Sequence, residues 1–383
     1  MTGPIAEPRK HFPAGEEFLL LPPTAQAHAY RNVDRMFATR TVRRGANVFE
    51  LRRGPEIAPR YRADGARHGV EAYMDRACVA GLLVIRDERV VLERYSLGLD
   101  EDVRWSTMST VKSLTSTLVG VALKQGAIAS LDDAVSAYLP ALRGSAYDAV
   151  GIRHLLTMSS GVRWNEDYTD RNSDVNRYSK SLGDRVPGGV LALMRSLKAE
   201  HRPGAQFNYN SGDTYVLGCL VSAATGMGLA DLMSQTIWSR FGMEFDAFYT
   251  LESEGGQEIG GSRAGIALRD FGRFGVFLLR DGAIDGAPVL PSGWVENAGR
   301  PAFALDPAEN RYGATGYGYS WWIDPDGSMV ALGFAGQSLY INRRHNVVMV
   351  TLSCQPQPPW DAACKVDFKT EYHAFKEAVL AEL

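Results

Sequence analysis

A chain of 383 residues with 45% hydrophobic and 22% charged residues has room for one large domain or two medium ones, and its balance is that of an ordinary globular protein. A formal net charge of −3 and an isoelectric point near 6.2 exclude an electrostatic case for nucleic acid, and no basic run stands out. No stretch reaches membrane-spanning length, and the apolar run in "EEFLLLPP" is too short for a signal-peptide core, so a cytoplasmic protein with no membrane contact is expected.

Residues 1 to about 75 are rich in Pro, Arg and Gly with weak periodicity, and read as a long arm wrapped on the body. "LLVIRDERVVLERY" (82–95) gives two β-rich runs around a polar turn, a hairpin. Val111, Leu114, Leu118, Val121 and Ala122 then recur at helical spacing, with Gly126 where such a helix would stop. Leu217, Leu220, Val221 and Ala224 form a second apolar stripe, opened by Ser211 as a cap and closed by Gly226. Phe271, Phe274 and Leu278 mark a third helix before Asp281-Gly282.

Strand signals return late. "YGYSWWI" (317–323), "SMVALG" (328–333) and "SLYINRRHNVVMVTLS" (338–353) read as a meander, and Phe368, Tyr372, Phe375, Val379 and Leu383 share one face of a closing helix. Strands at both ends with helices between predict an α/β fold. One domain is built from residues 1–108 plus 265–383, and a mostly helical domain, 109–264, is inserted into it. Cys78, Cys219, Cys354 and Cys364 are scattered in apolar stretches and read as buried reduced thiols. The seven histidines make no metal-binding pattern, and His154 in "IRHLL" reads as structural.

The segment that carries chemistry is "RWSTMSTVKSLTSTLVG" (104–120). Ser109 and Lys112 are three apart at a helix start, which puts both on one face. The bland reading is a hydroxyl cap and a solvated lysine. Yet S-x-x-K occurs once in a chain with only eight lysines, and the helix it opens is apolar enough to be buried. A serine there gains free N–H groups and a positive dipole end; a desolvated lysine is biased toward the neutral amine, which accepts a proton. Tyr209, in "PGAQFNYNSGDTYVLG" (203–218), lies just before another helix start and could bring a phenolic oxygen to that serine. In "ALGFAGQSLYI" (331–341), Gly333 and Gly336 interrupt a strand, a sign of close approach, and the Phe334 N–H could face an oxyanion.

These three pieces in this order resemble the serine β-lactamase and penicillin-binding-protein superfamily. The likeness is greatest to the class C-like branch of esterases and 6-aminohexanoate-dimer hydrolases. It runs from "RNVDRMFATRTVRRG" (31–45) through "LLTMSSGVRWNEDY" (155–168) and "GGSRAGIALRDFGRFG" (260–275) to "GFAGQ" (333–337). It implies a β-lactamase-like fold: an antiparallel sheet flanked by helices, with the active site between the sheet domain and the inserted region. It implies Ser109 as the acylated nucleophile, Lys112 as its proton acceptor, Tyr209 as the tyrosine of a Y-x-N element, and the N–H groups of Ser109 and Phe334 as the oxyanion hole. Tyr168, Ser211 and Gly333 would line the substrate cleft.

Two positions depart from the pattern. Ser211 stands where Y-x-N has asparagine, and Ala331 stands where many members have a Lys or His that engages a substrate carboxylate. Both keep acyl transfer and weigh against a β-lactamase or D-alanyl-D-alanine carboxypeptidase. The expected protein is a serine hydrolase of a small linear amide or ester, with no metal or organic cofactor and a small-molecule partner; a homodimer is left open. The rival of another class is a non-catalytic ligand-binding homologue.

Overall fold

The computed structural model describes residues 15–358 and 360–383; the start of the expected arm lies outside them. Nine strands form the main sheet: β1 Arg52–Arg53, β2 Val79–Arg86, β3 Arg89–Tyr95, β4 Phe303–Ala304, β5 Gly316–Tyr317, β6 Trp322–Ile323, β7 Met329–Gly333, β8 Gln337–Asn342 and β9 Val347–Ser353. Their spatial order is β4-β5-β6-β7-β8-β9-β2-β3-β1, antiparallel throughout except for the short β1–β3 edge pairing. Strands from both ends of the chain thus share one sheet. The 82–95 hairpin is β2–β3, turning at Asp87 and Glu88, both left-handed at φ +47 and +61. That is the backbone a tight two-residue hairpin turn demands.

The sheet is covered on both faces, which explains why β2 and β9 read as continuous apolar runs. One face takes helix α4 (Leu268–Leu279) against Leu83, Ile85, Leu339 and Val348. Gly272 and Gly275 let it lie close: a Cβ at either would stand 2.6 Å from Leu83 or 2.5 Å from Val348. The other face takes α5 (Phe368–Ala381) and the short helix Val70–Arg76 against Leu82, Val84, Tyr340 and Met349, with Tyr73 and Phe375 stacked at 3.8 Å.

Between the two halves of the sheet sequence lie α1 (Val111–Lys124), α2 (Asp174–Gly183) and α3 (Ser211–Thr225). The same stretch also holds the strand Ala247–Thr250, which joins Thr39–Val42, Ala264–Ile266 and Trp105–Ser106 in a four-stranded sheet. From Val111 through Ala122, α1 is buried on every side. Its hydroxyls serve neighbouring loops: Ser113 donates to the Ser320 carbonyl at 2.6 Å, Ser116 to that of Tyr319 at 2.6 Å, and Thr115 to that of Gly260 at 2.8 Å. Among the described residues no single helix is long and apolar enough to cross a membrane.

Several expectations need correction. "YGYSWWI" is two strands, β5 and β6, because residues 318–321 make a tight reversal with Ser320 at φ +59, held to α1 by the bonds above. "ALGFAGQSLYI" is a hairpin rather than an interrupted strand: Gly333 pairs with Gln337 across a turn with Ala335 at φ +60 and Gly336 at φ +86. The cap of α3 is Asn210, whose side chain accepts from the Asp213 N–H, and Ser211 is the first helical residue. Cys219 and Cys354 are buried, but Cys78 and Cys364 are half-buried. The arm from residue 15 onward packs into the core through Phe18, Tyr30, Val33 and Phe37. His154 accepts from the Gly151 N–H through Nδ1 at 3.1 Å, a local structural bond.

Candidate active site

Ser109 stands at the entry to α1. The chain leaves the strand Trp105–Ser106 through Thr107, whose N–H donates to the Ala264 carbonyl at 2.9 Å. Met108 follows at φ +48, a left-handed backbone that costs a non-glycine residue roughly 1–3 kcal/mol and persists only where the surroundings enforce it. This strained step feeds a single 3-10 turn, Met108–Thr110, that runs directly into α1. Ser109 is half-buried while Met108 and Thr110 are fully buried, so the hydroxyl is the reachable atom of the turn. The helix start beside it supplies positive potential.

Lys112, one turn on, is 2% exposed, and its ammonium is held by oxygen atoms alone. Nζ donates to Ser109 Oγ at 2.9 Å, to Ser211 Oγ at 3.0 Å and to the Gly261 carbonyl. Burial lowers its pKa to about 8, against an opposing pull from Glu166. A lysine so placed spends part of its time as a neutral amine near neutral pH.

Ser211 links the pair to a carboxylate. Its hydroxyl donates to Glu166 Oε1 at 2.5 Å, and its N–H donates to Oε2 at 3.1 Å. Glu166 also accepts from the Trp164 indole and from the Tyr168 hydroxyl at 2.8 Å. Four donors therefore converge on one carboxylate. Ser211, where Y-x-N has asparagine, thus accepts from Lys112 and donates to Glu166.

Tyr209 closes the site above Lys112, whose Nζ lies 5.0 Å from the ring centroid. The ring stacks on Trp322 at 5.4 Å, and Tyr317 meets it edge-on at 6.3 Å. Burial pushes the phenol pKa well above its ordinary value, while hydrogen bonding with Ser109 draws it down. Tyr168 tilts against Phe334 with centroids 5.1 Å apart. Both residues line a small cavity that contains Ser109.

The β7–β8 turn approaches from the other side. A Cβ at Gly333 would stand 2.9 Å from the Thr107 carbonyl and 3.1 Å from Met108 Cβ, so only glycine lets the strand end come this close to the nucleophile's turn. Gln337 fixes the turn: its amide donates to the carbonyls of Phe334 at 3.0 Å and Ser353 at 2.7 Å, and its Oε1 accepts from Trp105 at 3.0 Å. The strand end is thereby braced beside the Met108 turn, and Phe334, the next residue, lines the same small cavity as Ser109.

The site residues expected from the sequence, Ser109, Lys112, Tyr168, Tyr209, Ser211, Gly333 and Phe334, fall in this one region. Glu166, Gly261 and Gln337 were not foreseen, although Glu166 sits in the quoted "WNEDY" and Gly261 in "GGSR". Ala331 is 1% exposed and paired with Leu339, so it presents nothing to the cleft. Two arginines border the site: Arg263 lines the small cavity with Ser109, and Arg311 lies further out. With Tyr168, Tyr209, Tyr312 and Trp322, Arg311 lines an opening of about 350 Å³, and it also borders a neighbouring cavity of about 550 Å³ behind Leu332.

Comparison with known proteins gives the family and the fold. Residues 66–372 match the family described as Beta-lactamase. A 6-aminohexanoate-dimer hydrolase of Paenarthrobacter ureafaciens is 30% identical over 302 residues, 76% of each chain. A D-aminopeptidase of Brucella anthropi is 29% identical over 170 residues, 42% of this chain and 31% of that one. Among solved structures, a Bacillus anthracis protein proposed to be a 6-aminohexanoate-dimer hydrolase superposes with a TM-score of 0.81 at 22% identity, covering 92% of this chain and 93% of its own. A class C beta-lactamase from Rhodobacter sphaeroides gives 0.59 at 17% identity over 81% and 97%. At such identities these two speak for the fold. The chain belongs to the beta-lactamase family and is a serine hydrolase.

Proposed function

We propose that the protein hydrolyses a small linear amide or ester through an acyl-enzyme on Ser109. The observation that carries this reading is the 2.9 Å contact between Ser109 Oγ and a Lys112 amine whose pKa burial has lowered to about 8. As Oγ attacks the carbonyl carbon, its proton passes to Lys112 Nζ and the carbonyl π electrons move onto oxygen. The N–H groups of Ser109 and Phe334 hold that oxyanion. Collapse breaks the bond to nitrogen or oxygen, and the leaving group takes a proton delivered from Lys112 through Tyr209. Water then attacks the ester by the same path in reverse and frees Ser109.

A linear substrate fits better than a β-lactam because Ala331 offers no donor to the carboxylate beside a β-lactam amide. The Paenarthrobacter relative is named a 6-aminohexanoate-dimer hydrolase rather than a β-lactamase, which supports the same reading. The test has two parts. A fluorophosphonate probe followed by peptide mass spectrometry should modify Ser109; an unlabelled Ser109 sinks the reading. On one preparation, kcat/KM should be higher for a p-nitrophenyl short-chain ester or a linear aminoacyl amide than for nitrocefin. Faster nitrocefin turnover replaces the linear-amide reading with a β-lactamase.

A further inference from the structure

The three oxygen partners of Lys112 constrain its working form. Nζ meets Ser109 Oγ at 2.9 Å, Ser211 Oγ at 3.0 Å and the Gly261 carbonyl. A charged ammonium donates to all three. A neutral amine has two N–H groups and one lone pair, and it takes a proton from Ser109 only when that lone pair faces Ser109. The Gly261 carbonyl accepts and cannot donate, so it claims one N–H. The second N–H goes to whichever hydroxyl has its own proton engaged elsewhere, and Ser211 is the one that decides.

Glu166 settles the direction at Ser211. Its Oε2 accepts from the Ser211 N–H at 3.1 Å and from the Trp164 indole, both of which can only donate. Its Oε1 accepts from the Tyr168 hydroxyl at 2.8 Å and from Ser211 Oγ at 2.5 Å. A hydroxyl has one proton. With that proton committed to a carboxylate, the stronger kind of acceptor, Ser211 offers Lys112 lone pairs alone. Ser211 therefore takes the second N–H, and the amine lone pair is left for Ser109.

We infer that Glu166 is a positioning residue that sets hydrogen-bond direction: by holding the Ser211 proton it aims the lone pair of neutral Lys112 at the Ser109 hydroxyl. This is distinct from its charge, which raises the lysine pKa and so opposes the neutral amine. The role rests on the acyl-transfer reading of Ser109. Glu166→Gln isolates it. The two N–H donors at Oε2 fix the glutamine carbonyl there, which places its amide nitrogen at the Oε1 position, against Ser211. Ser211 then accepts from the amide, its own proton turns to the Lys112 lone pair, and Lys112 donates to Ser109 instead of accepting.

The test reads kcat/KM on a neutral p-nitrophenyl ester well above the acid limb, where the amine is neutral with or without the Glu166 charge. Glu166→Gln should lower that plateau roughly 10-fold, the worth of one misdirected hydrogen bond. In the Ser211→Ala background the hydroxyl that misdirects is gone, so Glu166→Gln should cost nothing further. Glu166→Ala keeps the measurement open if the glutamine variant folds poorly; sodium formate should restore part of its activity and formamide should not. A loss as large with Ser211→Ala as without it, or a plateau that Glu166→Gln leaves unchanged, overturns the role, as does formate that rescues no better than formamide. If the unaltered protein turns over no ester, the hydrolase reading falls and the role falls with it. Turnover combined with any of the contrary results strikes the positioning role alone.

Discussion

Arg263 lines the small cavity at Ser109, Lys112 lies behind it bonded to Ser109 and Ser211 of its wall, and the protein treats these two buried cations in opposite ways. Lys112 is surrounded by oxygen acceptors, Ser109, Ser211 and the Gly261 carbonyl, with Glu166 one bond further out. Arg263, two residues from Gly261, has aromatic faces and no acceptor among the described residues. A third buried cation shows what a purely structural solution looks like. Lys376, 3% exposed on α5, is ion-paired with the buried Asp324 and has Asp326 at 3.6 Å. Charge neutralised by charge is architecture. A charge held by hydroxyls with its pKa depressed is suited to proton transfer. A charge held only between ring faces carries most of the cost of its burial uncompensated.

The largest effect that can break this contrast is on turnover. Ser109→Ala and Lys112→Ala should each lower kcat by ~10³-fold or more, at least about 4 kcal/mol, and the double variant should be no worse than either single one. Steady-state kinetics on a neutral ester measures this. Losses that multiply would mean that the two residues do not act as a unit. Next in size is Lys376→Met. Removing one partner of a buried pair strands Asp324, so stability should fall by roughly 3 kcal/mol in urea denaturation while kcat per folded molecule holds. A loss of kcat there would mean that Lys376 is not merely structural.

How far these distinctions could be read beforehand depends on contact range. Ser109 and Lys112 are three residues apart, and helical geometry alone brings them together. The 82–95 hairpin, the stripes of α1 and α3 and the apolar face of α4 are local periodicities, and all three helices and the hairpin are present. Glu166 is 45 residues from Ser211, Gly261 is 149 from Lys112, and Gln337 is 232 from Trp105. No spacing rule reports such pairs. The split of 317–323 into two strands was hidden for the same reason, since the reversal is tied to hydroxyls of α1 some 200 residues earlier. Arg263 was in plain sight within "GGSRAGIALRDFGRFG". An arginine is normally a solvated surface residue, and only the rings of Phe18 and Phe37, from the far end of the chain, make it otherwise.

A smaller effect sharpens the Lys112 half of the contrast through pH. The neutral amine is the working form, so kcat/KM should rise with pH through an apparent pKa near 8 that belongs to the Ser109–Lys112–Tyr209 unit. Glu166 favours the charged amine. Glu166→Gln keeps the size and removes the charge, so the lysine pKa should drop and the acid limb should move to lower pH by roughly one unit. A pH–rate profile reads this. An unmoved limb would mean that the Glu166 charge is not felt at Lys112, and a limb moved upward would contradict the sign of its action there.

The smallest effect is the most diagnostic, because its sign differs between two buried cations of similar exposure. In the free protein Arg263 carries the cost of burial with only ring faces to offset it, whereas Lys376 is repaid by Asp324. Methionine has comparable length and no charge. Arg263→Met should therefore leave the stability of the ligand-free protein unchanged or raise the melting temperature by about 1–2 °C, on the order of 1 kcal/mol or less. Lys376→Met should lower it. The comparison is made by calorimetry in one buffer for all three proteins. If Arg263→Met is instead as damaging as Lys376→Met, then Phe18 and Phe37 hold that guanidinium as firmly as a carboxylate would. The cation beside Ser109 is then a clamp for the arm that carries those rings.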